Sequence, residues 1–190
     1  MNINPEITSK EAIMRVCKGI VSRQGLAALN MRAVARECGT ALGTLYNYYS
    51  DKDELVLATI GSIWHDIFRA PRGCTGSRLF TEYVGGLFGN IRSVSGDYPG
   101  FFAAHSAAAA GIGGGKAREA MDKCYAEIKE ELLSALRSDA NVKPAAFSGG
   151  FTQEAFVKFV LDNIILLLSQ PEPDIGILTE IIRRTLYADQ

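Results

Sequence analysis

The chain has 190 residues, enough to bury a core, of which 47% are hydrophobic and 22% are charged, an ordinary balance for a globular protein. Its longest strongly apolar run, Ile164 to Leu168, is far shorter than the roughly 20 residues that a membrane span needs. The N-terminus also lacks a basic flank followed by an apolar core. We therefore expect a cytoplasmic protein that does not insert into a membrane.

The net charge of −1 is unevenly distributed along the chain. Residues 1–50 contain six Lys or Arg and three acids, a net +3, whereas the other 140 residues contain 14 bases and 18 acids, a net −4. A basic head on an acidic body is compatible with an end that binds a polyanion.

Cysteine and histidine give little indication of metal or redox chemistry. The four cysteines are scattered without a close pair: Cys17, Cys38, Cys74 and Cys124. Three of them fall at apolar positions of helical patterns. We interpret them as reduced and mostly buried thiols. The two histidines, His65 and His105, do not form a metal-binding pair at helical spacing. No nucleophile with a nearby base is evident either, so we predict no catalytic residues, no metal and no cofactor.

The first two predicted helices have recognisable ends. The segment Thr8 to Glu11 matches a capping box, and apolar residues then recur at helical spacing until Gly25. A second helix of only about two turns follows Asn30, a good N-cap residue, and ends at Gly39. Because so short a helix does not hold itself together in water, its neighbours must stabilise it.

Two further helices follow directly. The third is predicted over Ala41 to Tyr48, and the fourth begins in Ser50 to Glu54, where capping and acidic side chains cluster. The apolar stripe of the fourth helix continues until Pro71.

The rest of the sequence predicts longer helices, and no segment shows the alternating pattern of a strand. These helices are predicted over 78–92, from 97 to the alanine run before Gly111, and over 116–137, 152–170 and 174–188. The expected fold class is all-α, with about nine helices. The last two helices are apolar on nearly every side, which fits either burial in the middle of the body or contact with a second subunit.

The two short helices around Gly39 form a helix-turn-helix pattern. Such a corner needs buried bracing contacts, for which we assign Val34, Ala35, Cys38, Leu45 and Tyr49. Other residues of the third helix are left to face outward. Among them Thr44 and Asn47 can hydrogen-bond base edges, and Gly43 permits close approach. The remaining candidates are Tyr48 for a base or thymine methyl, and Tyr46 and Lys52 for phosphate.

The segment from Gly25 to Leu55, with GLAALNMRAVARECG followed by TALGTLYNYYSDKDEL, resembles the DNA-binding region of tetracycline-repressor-like (TetR/AcrR) regulators. About ten positions match in order and spacing: Gly25, Asn30, Val34-Ala35, Gly39, Gly43-Thr44-Leu45-Tyr46, Tyr49 and Lys52. One position departs from the family pattern, since Ala41 stands where a Ser or Thr usually starts the recognition helix. Thr40 or backbone groups would then take over that contact.

The resemblance implies a three-helix DNA-binding domain over 1–52, joined through the long fourth helix to an effector-binding and dimerisation domain over 53–190. It implies a regulator, most simply a repressor, that binds a near-palindromic operator as a homodimer through the helices near 152–170 and 174–188. The implied DNA-binding residues are Asn30, Arg32, Thr40, Ala41, Leu42, Gly43, Thr44, Tyr46, Asn47, Tyr48 and Lys52.

By the same resemblance, the body would bind a small effector in a mostly apolar pocket with a few polar groups. The candidate lining residues are Trp64, Phe68, Phe88, Phe101, Phe102, His105, Met121 and Tyr125. Aromatic residues on helices are also common in plain cores, so ordinary core packing is the alternative for each of them.

Three other interpretations were compared with this one. The GIGGGK segment at 111–116 resembles a phosphate-binding loop, but Ala110 and Ala117 replace two required residues, which favours an interhelical loop. A helical cofactor-binding enzyme would turn over a ligand without DNA. An adaptor protein that uses the head for protein contacts would bind with little dependence on salt, unlike a protein that contacts phosphates.

Overall fold

The computed structural model describes residues 9–68, 79–102, 104, 111–112, 115–168, 170 and 172–187. Within these residues the chain is helical and contains no strand, with one isolated bridge between Ser148 and Phe151. The predicted all-α fold class is therefore confirmed. None of the helices in the described part is both long enough and apolar enough to span a bilayer.

The helices of the head are α1 (Lys10–Gln24), α2 (Met31–Cys38) and α3 (Leu42–Tyr46), and α4 (Lys52–Phe68) follows them. The later helices are α5 (Phe80–Ser95), α6 (Lys116–Arg137), α7 (Gln153–Leu168) and α8 (Gly176–Leu186). Short 3₁₀ segments cover Leu26–Ala28 and Pro144–Ala146. Phe101, Phe102 and Ala104 have helical backbone, and the rest of the helix predicted before Gly111 lies largely outside the described residues.

The predicted ends of α2 and α6, the end of α1 and the start of α4 agree with the structure, whereas several others need correction. α3 is shorter than the predicted 41–48, because the N–H groups of Asn47 and Tyr48 already bond three residues back, to Thr44 and Leu45. The N-cap of α1 is Ser9, whose hydroxyl accepts the Ala12 N–H at 3.1 Å; the predicted box began one residue earlier, at Thr8, outside the described residues.

The bounds of three body helices also differ from the predicted ones. α5 covers Phe80–Ser95 where 78–92 was predicted, α7 covers Gln153–Leu168 where 152–170 was predicted, and α8 covers Gly176–Leu186 where 174–188 was predicted. Thr152 lies just outside α7 because its hydroxyl caps the helix, accepting the Ala155 N–H at 3.1 Å. The predicted end of α4 at Pro71 lies outside the described residues.

Contacts divide the chain into two compact units. The first comprises Met1–Ile67 and Val94–Cys124, and the second comprises Phe68–Ser93 and Tyr125–Gln190. In the first unit α1 packs on α2, and α2 packs on α3. In the second unit the core is built around Phe80, Leu87, Leu132, Val160 and Ile182, each of which is almost completely buried.

Candidate nucleic-acid interface

The corner between α2 and α3 is fixed at both ends of α2. The Asn30 side chain accepts the Ala33 N–H at 2.9 Å and caps the start of the helix, as the sequence predicted. At the other end Gly39 adopts a left-handed conformation with φ of 65°, and the Thr40 N–H bonds back to Ala35 at 3.0 Å. This hydrogen-bond pattern closes the helix and turns the chain into α3, and it favours glycine at that position.

The inner side of the corner is packed into the head. All five predicted bracing residues are buried, with at most 5% of each exposed: Val34, Ala35, Cys38, Leu45 and Tyr49. Burial raises the pKa of Cys17, on the facing side of α1, to about 11, and it also raises the pKa of Cys38. Both thiols are therefore protonated near neutral pH and behave as small apolar core groups.

The outer side of α3 is open to solvent. Tyr46 is 50% exposed although it is large and aromatic, and Ala41, Gly43 and Asn47 are exposed as well. The other four predicted residues in and around α3 are half-buried: Thr40, Leu42, Thr44 and Tyr48. Asn30 and Arg32 are exposed near the start of α2. The predicted DNA-binding residues from Asn30 to Tyr48 are therefore exposed or half-buried, whereas Leu45, in the middle of α3, is completely buried.

The start of α4 is held by a network of capping side chains. The Asp51 carboxylate accepts the Glu54 N–H at 2.7 Å, and the Glu54 carboxylate reaches back to the Ser50 N–H at 2.7 Å. These hydrogen bonds hold the pKa of both Asp51 and Glu54 below the ordinary values. Lys52 follows Asp51 directly and is exposed. The first turn of α4 is therefore capped by side chains and carries one exposed cation, Lys52.

α1 contacts the segment that leads into α4. The Lys10 ammonium lies 5.6 Å from the centroid of the Tyr49 ring, within the range of a cation–π interaction. Burial raises the pKa of Tyr49 to about 12, so its hydroxyl remains neutral. α1 is thereby joined to the segment between α3 and α4.

Two cations near this surface were not among the residues predicted from the sequence. Arg36 is exposed on α2, four residues after Arg32, so that both lie on one side of the helix. This spacing was the available signal for Arg36. Lys116, the first residue of α6, lies 3.9 Å from Asp51, and no local pattern indicates that contact.

The candidate effector residues divide between the two units, and each group is described within its own unit. In the first unit the ring centroids of Trp64 and Phe102 are 5.6 Å apart at 88°, and those of Phe101 and Phe102 are 5.8 Å apart at 71°. Trp64 and Phe101 are buried, whereas Phe102 and Met121 are half-buried. The edge-to-face geometry is typical of stable aromatic packing.

In the second unit Phe68 and Phe88 are buried, and Tyr125 is half-buried. The Tyr125 hydroxyl donates to the Asp162 carboxylate at 2.5 Å. Burial, together with this hydrogen bond, raises the pKa of Tyr125 well above its ordinary value. His105, the remaining candidate, lies outside the described residues. Within the part of the chain that is described, no cluster of three His, Cys, Asp or Glu is placed to hold a metal ion.

The last two helices leave large apolar side chains in solvent. Phe159 and Leu166, seven residues apart on α7, are 43% and 60% exposed. Ile177 and Ile181, four residues apart on α8, are 74% and 41% exposed. Each helix also carries a buried stripe, so burial within one subunit does not account for all of its apolar surface.

The sequence of the head matches the model of a known family. Residues 18–59 match the family described as "Bacterial regulatory proteins, tetR family". This range includes α2, α3, the capped start of α4 and most of α1.

Solved structures share the fold over most of the chain. The multidrug binding protein EbrR, complexed with imidazole, is 18% identical, with 98% of each chain covered and a TM-score of 0.62. The TetR family transcriptional regulator PfmR from Thermus thermophilus is 16% identical, with 96% of this chain and 98% of PfmR covered and a TM-score of 0.56.

A transcriptional regulator from Rhodococcus sp. Rha1 is 19% identical, with 84% of this chain and 81% of the regulator covered and a TM-score of 0.57. Identities this low establish a common fold and nothing more. Residues 18–59 therefore match the tetR family of bacterial regulatory proteins, and the chain as a whole shares its fold with these solved structures.

Proposed function

We propose that this protein is a transcriptional repressor that binds a near-palindromic operator as a homodimer and is released by a small-molecule effector. Residues 1–52 would form the DNA-binding domain, and residues 53–190 would bind the effector and the second subunit. The observation that carries the proposal is the two-sided character of α3, which buries Leu45 completely while exposing Tyr46, with Asn47 exposed directly after the helix. Base reading requires a short helix that packs against the protein on one side and is exposed to solvent on the other.

Individual roles follow from the chemistry of the exposed groups. Asn47 and Thr44 have donors and acceptors that match base edges in the major groove, and Gly43 allows the backbone to approach them closely. Tyr48 would contact a base or a thymine methyl. The groups assigned to phosphate or to positioning of the backbone are Asn30, Arg32, Thr40, Ala41, Leu42, Tyr46 and Lys52.

The homodimer would form through α7 and α8 of two chains. Their exposed side chains Phe159, Leu166, Ile177 and Ile181 support this pairing, because a second copy would remove this apolar surface from water. A two-fold axis would then place two copies of α3 about 34 Å apart, or a multiple of that distance, so that both enter the major groove.

The effector would bind among the aromatic residues of the body. EbrR, which shares the fold, is described as a multidrug binding protein. α4 has 17 residues and is about 25 Å long, with Lys52 at its first turn and Trp64 and Phe68 in its last two turns. A small tilt of this helix would change the spacing of the two heads, and a coupling of about 1 to 3 kcal/mol is sufficient to release an operator. If operator affinity is the same with and without a saturating ligand of the body, this part of the proposal fails.

Selection of bound sequences from random DNA tests the proposed DNA reading, using the wild type and two variants. Asn47→Ala is expected to lose its base preference at one position, which corresponds to about 1 to 3 kcal/mol of discrimination. Lys52→Ala is expected to lower the affinity for all DNA sequences by the same factor. Lys158→Ala is a charge-matched control from the second unit. If Asn47→Ala selects the same consensus as the wild type with unchanged affinity, α3 does not read the bases as proposed.

A further inference from the structure

Lys116 comes from outside the helix-turn-helix but lies beside the first turn of α4. Its ammonium nitrogen is 3.9 Å from the Asp51 carboxylate, the group that caps α4. An independent feature gives the same placement. Gly111 and Ile112 line a groove of about 430 Å³ together with Lys52 and Asp53. Both observations fall within the first compact unit, and they place Gly111, Ile112 and Lys116 near the end of α4 that is proposed to contact phosphate.

The ion pair leaves the Lys116 ammonium available for another anion. Lys116 is 65% exposed and Asp51 is 47% exposed, and Asp51 is the one acid within ion-pair distance of Lys116 in the described part of the chain. An exposed pair of this kind contributes little to stability, since both charges remain hydrated. At 3.9 Å the contact is also longer than a direct hydrogen bond, and an ammonium has three donors.

The charges at the start of α4 explain why a cation at Lys116 would favour phosphate binding. The segment Asp51–Glu54 carries three carboxylates and a single cation, Lys52. The net charge of −2 on this segment repels a phosphate, and another positive charge nearby would reduce that repulsion. Lys116 supplies that charge from the body of the protein.

We propose that Lys116 is a phosphate-contacting residue of the DNA interface, which extends that surface beyond the helix-turn-helix onto the start of α6. The proposal rests on the proposed function, since it requires that the start of α4 faces DNA. The ligand chemistry is that of the phosphodiester backbone, so the contribution of Lys116 is independent of sequence.

The test is the salt dependence of binding to one duplex containing a selected site, measured by fluorescence anisotropy for wild type, Lys116→Ala and Lys158→Ala. The control is closely matched, because the Lys158 side chain is 60% exposed and pairs with Asp162, which is 46% exposed. Each phosphate contact contributes about 0.9 to the slope of log affinity against log salt. We expect Lys116→Ala to lower that slope by about 0.9 per bound protomer and Lys158→Ala to leave it unchanged.

A double variant separates direct contact from an indirect effect through Asp51. Asp51→Asn removes the charge but retains a good capping side chain, so the helix start is preserved. If Lys116 itself contacts phosphate, Lys116→Ala lowers the slope equally in the Asp51→Asn background. An unchanged slope in that background, or in Lys116→Ala alone, overturns the proposal. A wild-type protein with no salt-dependent DNA binding would instead refute the proposed function.

Discussion

Asp139 is the residue whose loss we expect to destabilise the second unit most clearly. It is only 6% exposed, and its carboxylate accepts four hydrogen bonds. The donors are the Phe80 N–H at 2.7 Å, the Tyr187 hydroxyl at 2.6 Å, and the backbone and side chain of Asn141 at 2.9 and 3.1 Å. A single side chain thus caps α5 and holds the residue that follows α8.

The expected cost follows from what Asp139→Ala leaves behind. Water can replace the bonds to the exposed Asn141, whereas the Phe80 N–H and the Tyr187 hydroxyl lose their acceptor in a buried or half-buried site. A hydrogen bond to a charged group contributes about 1.5 to 3 kcal/mol, so the two together correspond to about 3 to 6 kcal/mol. Tyr187→Phe removes one of these donors and leaves the carboxylate in place, so we expect a cost of about 1.5 to 3 kcal/mol for it.

Urea denaturation followed by circular dichroism at fixed protein concentration measures these costs as changes in the free energy of unfolding. The free energy of unfolding should be highest for the wild type, lower for Tyr187→Phe and lowest for Asp139→Ala. A value for Asp139→Ala within about 1 kcal/mol of the wild type would refute the reasoning, because it would mean that water satisfies both donors.

The same site predicts a dependence on pH. Burial alone would raise the pKa of Asp139, but the hydrogen bonds from Tyr187, Phe80 and Asn141 outweigh it and hold the pKa below its ordinary value. A carboxyl whose pKa is lower in the folded state stabilises the fold above its unfolded pKa, and this contribution is lost as the pH falls through the folded pKa. The stability difference between wild type and Asp139→Asn should therefore shrink below about pH 4.

Two further predictions concern the head and the dimer. Asn30→Ala should cost about 1 kcal/mol by removing the cap of α2, while Asn30→Asp retains it, and equal thermal stability of the two variants would contradict this. Leu166→Asp should leave the subunit folded, since Leu166 is 60% exposed, but should shift sedimentation at micromolar concentration from dimer to monomer. A wild type that is monomeric both alone and on DNA would exclude the proposed pairing.

The sequence predicted best those features that are set by neighbouring residues. The cap at Asn30 and the left-handed turn at Gly39 depend on hydrogen bonds within a few positions, so local patterns reveal them. The start of α5 is different, because its N–H at Phe80 is satisfied by Asp139, 59 residues later in the chain. No local signal encodes that partner, and the predicted start was two residues early.

The candidate interface likewise combines features that the local sequence reveals with one that depends on a residue distant in the chain. The resemblance of residues 25–55 to a known DNA-binding region singled out α3 and Lys52, and the apolar spacing identified Leu45 and Tyr49 as buried. Lys116 was not among the predicted residues, since its proximity to Asp51 arises from a contact across 65 positions. Charge pattern alone does not place a cation from the body beside the head.

In the proposed complex the head contacts the DNA phosphates while α3 faces the bases. The most direct test of this arrangement is the affinity of the wild-type protein for a selected duplex between about 50 and 200 mM salt. A dimer making about six to ten phosphate contacts should lose roughly 10³- to 10⁵-fold in affinity over that range. Affinity that stays constant across that range would contradict the account, because it would mean that binding releases no counterions from the DNA.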